Sequence, residues 1–145
     1  MPVRRVEEVL PSVQPNGKLP LSELAITILK ENSTAHYDNI RALWHIGDEV
    51  LKAREIVPSG SWRKELSECA AMAGVHPGSL DDAARAAKAF PTEDRECVLS
   101  SFASAGTPLT RSHVVVLSRM TRARRTRAIE TMLRAPCSVA DLRSL

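Results

Sequence analysis

The chain has 145 residues, enough for one domain or two small ones. Its apolar fraction of 43% and charged fraction of 26% are those of a globular protein, and no run reaches the ~18–20 apolar residues of a membrane span. An odd set of cysteines (Cys69, Cys97, Cys137) without C-x-x-C spacing argues against a disulfide scaffold or zinc ribbon, and aromatic residues at 3% argue against an RNA-stacking platform. The opening run Met1–Glu8 has no apolar stretch, so no secretory signal is expected and a reducing cytoplasm is the expected location.

The net charge of +3 conceals an asymmetry. Residues 1–105 carry 12 Lys/Arg against 15 Asp/Glu, whereas residues 106–145 carry 8 Arg against Glu130 and Asp141. Arginine pairs with phosphate through a planar fork of donors, so a concentrated Arg tract points to a polyanion such as nucleic acid. A merely solvated basic face is the plain alternative.

Pro2, Pro11, Pro15, Pro20 and the Asn16-Gly17 pair preclude a regular helix over residues 1–20, which read as a flexible arm. Helical spacing begins at Leu21, with Ser22 as N-cap and Leu24, Ile28 and Leu29 as the apolar positions. Ser33 is placed to cap a second helix running to Ile56, with the stripe Ile40, Leu43, Trp44, Gly47, Val50 and Leu51. Pro58-Ser59-Gly60 stops it, and Ser61 is expected to cap a helix over Trp62–Ala73 that Gly74 terminates. Further helices are predicted from Ser79 to Phe90, from Thr92 or Glu93 to Phe102, over Thr110–Met120 and over Arg122–Leu133. A last short one, capped by Ser138, covers Val139–Leu145. The chain thus reads as all-α, a multi-helix bundle of about seven or eight helices. Residues 21–58 are the expected dimerisation or partner element, and residues 59–145 the binding domain.

The most informative segment is Ala70-Ala71-Met72-Ala73-Gly74-Val75-His76-Pro77-Gly78-Ser79-Leu80. It follows helix-turn-helix grammar. Ala70 is small where two helices must approach, and Gly74 supplies the positive φ of the turn. Val75 plugs the gap, Pro77 stiffens the turn, Ser79 caps the second helix and Leu80 packs back. In such a motif the second helix enters the DNA major groove by its N-terminal turns. His76, Gly78, Ser79, Asp82, Arg85 and Lys88 are therefore the candidate groove-facing residues. Asp81 and Asp82 oppose phosphates electrostatically, and complementing the helix N-terminus is their expected role. Arg111 and Ser112, at a predicted helix start, are candidates for phosphate contact, as are Arg122, Arg124, Arg125 and Arg127.

After this motif come Phe90-Pro91-Thr92-Glu93-Asp94-Arg95, then Leu109-Thr110-x-x-His113-x-x-x-Leu117, then Ser138-Val139-x-x-Leu142. In this order residues 62–145 resemble the central DNA-binding domain of ParB/KorB-type plasmid and chromosome partition proteins. Ile40, Trp44-His45-Ile46-Gly47 and Gly60-Ser61-Trp62 are also similar to a domain that precedes some PD-(D/E)xK nucleases. The first resemblance implies sequence-specific binding of double-stranded DNA, in plasmid or phage partition or in repression. It also implies a homodimer, a partition ATPase as a further partner, nucleoid or plasmid association, and a structural role for His113. The G-E-R-R-type nucleotide box of ParB proteins and the acidic-Lys nuclease core are absent, so neither a nucleotide switch nor cleavage is expected. The alternatives are a protein-interaction adaptor without groove reading, or a non-catalytic DNA-binding subunit for a separate nuclease.

No catalytic constellation is visible. His36, His45, His76 and His113 lie far apart, none pairs with Cys at metal spacing, and no P-loop, G-x-S-x-G or G-x-G-x-x-G occurs. No enzyme activity, metal or cofactor is expected. Cys69, Trp44 and Trp62 are assigned to the core.

Overall fold

Gly74 and Gly106 stand at helix ends and Pro77 and Pro91 at helix starts. The computed structural model describes residues 21–31 and 37–145. Among them are α1 (Glu23–Glu31), α2 (Asp38–Ile56), α3 (Trp62–Ala73), α4 (Pro77–Ala89), α5 (Thr92–Ala105), α6 (Arg111–Ser118), α7 (Arg122–Arg134) and α8 (Val139–Arg143). A 3-10 turn, Ser59–Ser61, joins α2 to α3, and there is no strand among the described residues. The fold is an all-α multi-helix bundle. The expected arm over residues 1–20 and the expected cap at Ser33 lie outside the described residues.

Capping chemistry explains most boundaries. Ser22 Oγ accepts from the Ala25 N–H at 3.2 Å. Thr110 and His113 form a reciprocal box at the start of α6, as do Ser138 and Asp141 at the start of α8. Gly74 and Gly106 end α3 and α5 with φ of 72° and 67°, a region that costs an L-residue steric strain. Two expected caps are corrected. Ser61 makes no side-chain cap bond, because the 3-10 turn already leads the chain into α3. Ser79 does not open α4 either. Pro77 occupies the first turn, and His76 is the cap, its Nδ1 accepting from the Gly78 N–H at 2.9 Å.

Helix α4 runs through the middle of the bundle. It packs chiefly on α2, with α6 and α3 on other sides. Its inward face of Leu80, Ala83, Ala86 and Ala87 is small, which brings the partner backbones close. Trp44 of α2 meets Phe90 with ring centroids 5.5 Å apart. Arg95 of α5 fastens this junction from below. Its guanidinium donates to both Asp48 oxygens at 2.6 and 2.9 Å, to the Phe90 carbonyl at 2.7 Å and to the Ala87 carbonyl at 3.0 Å. The last two acceptors belong to the C-terminal end of α4, where helix carbonyls lack intrahelical donors.

One apolar cluster extends from Leu21 to Leu142, so residues 21–58 and 59–145 share a core. The apolar face of α2 is spent within the chain. Asn39 Nδ2 caps the end of α1 through the Ile28 and Leu29 carbonyls at 2.9 and 3.2 Å. Buried Glu49 holds its beginning, accepting from the Ser22 N–H at 3.0 Å. Trp44, Trp62 and Cys69 are core residues, as their positions on apolar stripes imply.

Candidate nucleic-acid interface

The start of α4, the outer face of α6, the end of α1 and α8 enclose an open cleft of about 410 Å³. Its position follows from the caps. The turn at Gly74 aims Val75 and His76 toward α6, and the Thr110 cap starts α6 so that Arg111 and Ser112 stand at the rim. His113 turns inward. Its Nδ1 lies 3.1 Å from the Thr110 amide nitrogen, whose hydrogen it accepts, leaving Nε2 to donate to the Cys137 carbonyl at 2.7 Å. It locks α6 to the segment before α8, which accords with a structural role.

Four cations, Lys30, Arg111, Arg119 and Arg143, line the cleft against a single carboxylate, Asp82. The Lys30 ammonium donates to the Ala73 carbonyl at 3.1 Å, tying α1 to the end of α3. Arg111 donates to the Leu29 carbonyl, and partial burial holds its guanidinium below the usual arginine range. Asp82 accepts from Arg119 at 2.9 Å and from Arg85 at 3.3 Å, and Asp81 pairs with Arg63 at 2.8 Å. The two acids that oppose phosphate in the sequence are therefore engaged by three arginines.

A second cleft of about 230 Å³ shares Val116, Arg119 and Arg143 with the first and adds Met120 and Arg124. Arg124 also donates to the Leu145 carbonyl. The basic surface thus continues from the start of α4, across α6 and α8, to the first turn of α7.

Of the residues singled out in the sequence, His76, Ser79, Asp82, Arg111 and Ser112 meet in the larger cleft, and Arg124 lines the smaller. Gly78 stands beside them through its bond to His76, and Arg85 reaches the rim through Asp82. Lys88, Arg122 and Arg127 are exposed but line neither cleft. Arg125 turns inward: its Nη1 donates to the Met120 carbonyl at 3.1 Å and its guanidinium lies 5.7 Å from the Phe90 ring centre. Burial and the neighbouring Arg122 charge hold it below the usual arginine range, so it braces α7 rather than facing outward.

Lys30, Arg119 and Arg143 also line the cleft and were not singled out in the sequence. Arg119 had a legible signal, since Arg111, Val115 and Arg119 repeat every four residues along one face of α6. Lys30 and Arg143 arrive only through tertiary packing. Comparisons with protein families, curated proteins and solved structures give no match to this chain.

Proposed function

We propose that this protein binds double-stranded DNA, with the first turns of α4 entering the major groove and the arginines of α6, α7 and α8 meeting backbone phosphates. The observation that carries the reading is the continuity of one basic surface. The turn preceding α4 and the arginines Arg111, Arg119, Arg143 and Arg124 open onto adjoining clefts. Phosphate contacts set register and affinity, while groove contacts by His76, Ser79 and Arg85 would supply specificity. The pairing of Asp81 and Asp82 with arginines removes much of the electrostatic objection to an anionic partner. The resemblance of residues 62–145 to the partition-protein domain points the same way, and makes centromere binding or repression the fitting process. On this reading the protein acts as a homodimer on paired half-sites, because a lone module of this size gives modest affinity.

The test is selection of bound duplexes from a random DNA pool, followed by a salt titration on the enriched sequence. Enrichment of one motif, lost in Arg85→Ala/Ser79→Ala, is the expected result. Absence of enrichment together with salt-insensitive binding would overturn the reading and leave the adaptor role in front.

A further inference from the structure

The phosphate reading leaves part of the larger cleft unused. Behind its basic rim Val75 and Val115 are half-exposed, over the buried Leu29, Leu43 and Val116, and give the cleft a small apolar floor. A DNA backbone offers hydrated phosphates and sugars to a protein surface, and little that gains from an apolar floor. The volume of about 410 Å³ falls within the ~300–1,000 Å³ span of small-molecule sites, which pair apolar walls with a few polar groups that fix orientation.

We propose that this cleft also binds a small amphipathic organic anion, an apolar body carrying one carboxylate or phosphate. The body would rest on Val75 and Val115. The head group would face Arg143, Ser112 and Arg119, the last also paired with Asp82, at the rim where the Arg111 and Ser112 N–H groups lack intrahelical acceptors. The predominance of cations over the single carboxylate selects an anion over a neutral or cationic ligand. The walls come from elements anchored independently of any ligand: α1 by Lys30 and Arg111, α6 by His113. The site is therefore formed before the ligand arrives, which limits the ordering cost of binding.

The experiment uses 8-anilinonaphthalene-1-sulfonate as the probe, with the full chain at pH 7. The expected result is saturable one-to-one binding with enhanced probe fluorescence, reversed by octanoate and not by octylammonium. Arg119→Ala/Arg143→Ala, at exposed positions and with its fold read by circular dichroism, is expected to weaken probe binding at least tenfold. Val115→Glu, which adds a carboxylate to the floor, is expected to abolish it, with circular dichroism reporting its fold. Non-saturable binding, equal displacement by octylammonium, or unchanged affinity in the double-arginine variant would overturn the proposal. DNA binding measured on the same samples separates the two readings. Anion binding without DNA affinity overturns only the DNA reading, and DNA affinity without a saturable anion site overturns only this one.

Discussion

Gly47 stands so close to Ala83 that a β-carbon at position 47 would lie 2.0 Å from the Ala83 carbonyl oxygen and 2.6 Å from the Ala87 methyl. The obstacle is helix backbone, which cannot swing aside as a flexible side chain can. Gly47→Ala should therefore force α2 and α4 apart. The expected cost is about 3 kcal/mol, at the upper end of overpacking substitutions, read as a loss of midpoint in urea unfolding. Ala at Gly60, where a β-carbon meets nothing, should leave the midpoint nearly unchanged.

Arg95 serves α2, α4 and α5 together. Arg95→Ala strands two buried carbonyls, Phe90 and Ala87, as well as Asp48. Asp48 retains partial access to water, so the loss should fall below that of a fully buried pair, at about 2–3 kcal/mol. Asp48→Asn, which keeps an acceptor for Arg95, should cost less. Thermal unfolding of the two variants side by side checks the order.

The Glu49 carboxyl sits under the start of α1, and burial pushes it up to about 7 from its ordinary 4.5, opposed in part by the Ser22 N–H and the charge of Lys52. Because the folded-state value is raised, the folded protein holds a proton there that the unfolded chain releases. The stability this contributes is complete below about pH 4.5 and is lost as pH rises through about 7. Glu49→Gln keeps an acceptor for Ser22 and removes the charge. Its melting temperature should exceed that of the parent at pH 8 and should lack the parent's decline between pH 5 and 8. His45 Nε2 lies 3.3 Å from the same carboxylate, and His45→Gln repeats the scan with that neighbour neutral.

The arginines of the C-terminal segment should divide into two groups. Arg119→Ala/Arg143→Ala should lower DNA affinity with little change in melting temperature, and should reduce the slope of log affinity against log salt by about 0.9 for each phosphate contact removed. Arg125→Ala should do the reverse. It removes the bond to the Met120 carbonyl and the contact over Phe90, for a loss of about 1–2 kcal/mol, and leaves the salt slope intact. Binding and unfolding measured on all variants at matched salt distinguish the groups.

Signals that act within a few residues were legible in the sequence. Gly74 as a helix terminator, Ser22 and Ser138 as caps, and the stripe through Ile40, Leu43, Trp44 and Gly47 follow from local geometry and period, and they fix the all-α class. The assignment of Ser79 as a cap failed because Pro77 and His76 satisfy the same helix start two residues earlier, by an imidazole in place of a hydroxyl. The stripe placed Gly47 inward but not against backbone, since contact with Ala83 depends on how α4 crosses α2. The same limit applies to the site. Charge density marked the C-terminal arginines without telling Arg125, which faces Phe90, from Arg124, which lines a cleft. Lys30 joins the cleft from a helix that charge counting assigned to the acidic part of the chain.

The hydrogen bond from Arg111 to the Leu29 carbonyl joins positions 82 residues apart. During synthesis α1 leaves the ribosome long before Arg111, which with Asn39 secures its last turn, and before α4, on which its neighbour α2 must lie. Until then Asn39, ten residues on, is the nearby donor to the Leu29 carbonyl, and the part of the apolar face of α2 that α4 will cover is bare while α1 covers another part. Closing so distant a contact is slow, because the entropy of a long loop is lost before the contact is gained. The interval between making α2 and making α4 is therefore the period in which a nascent chain of this protein most exposes itself to aggregation, and in which a chaperone would matter most to its yield.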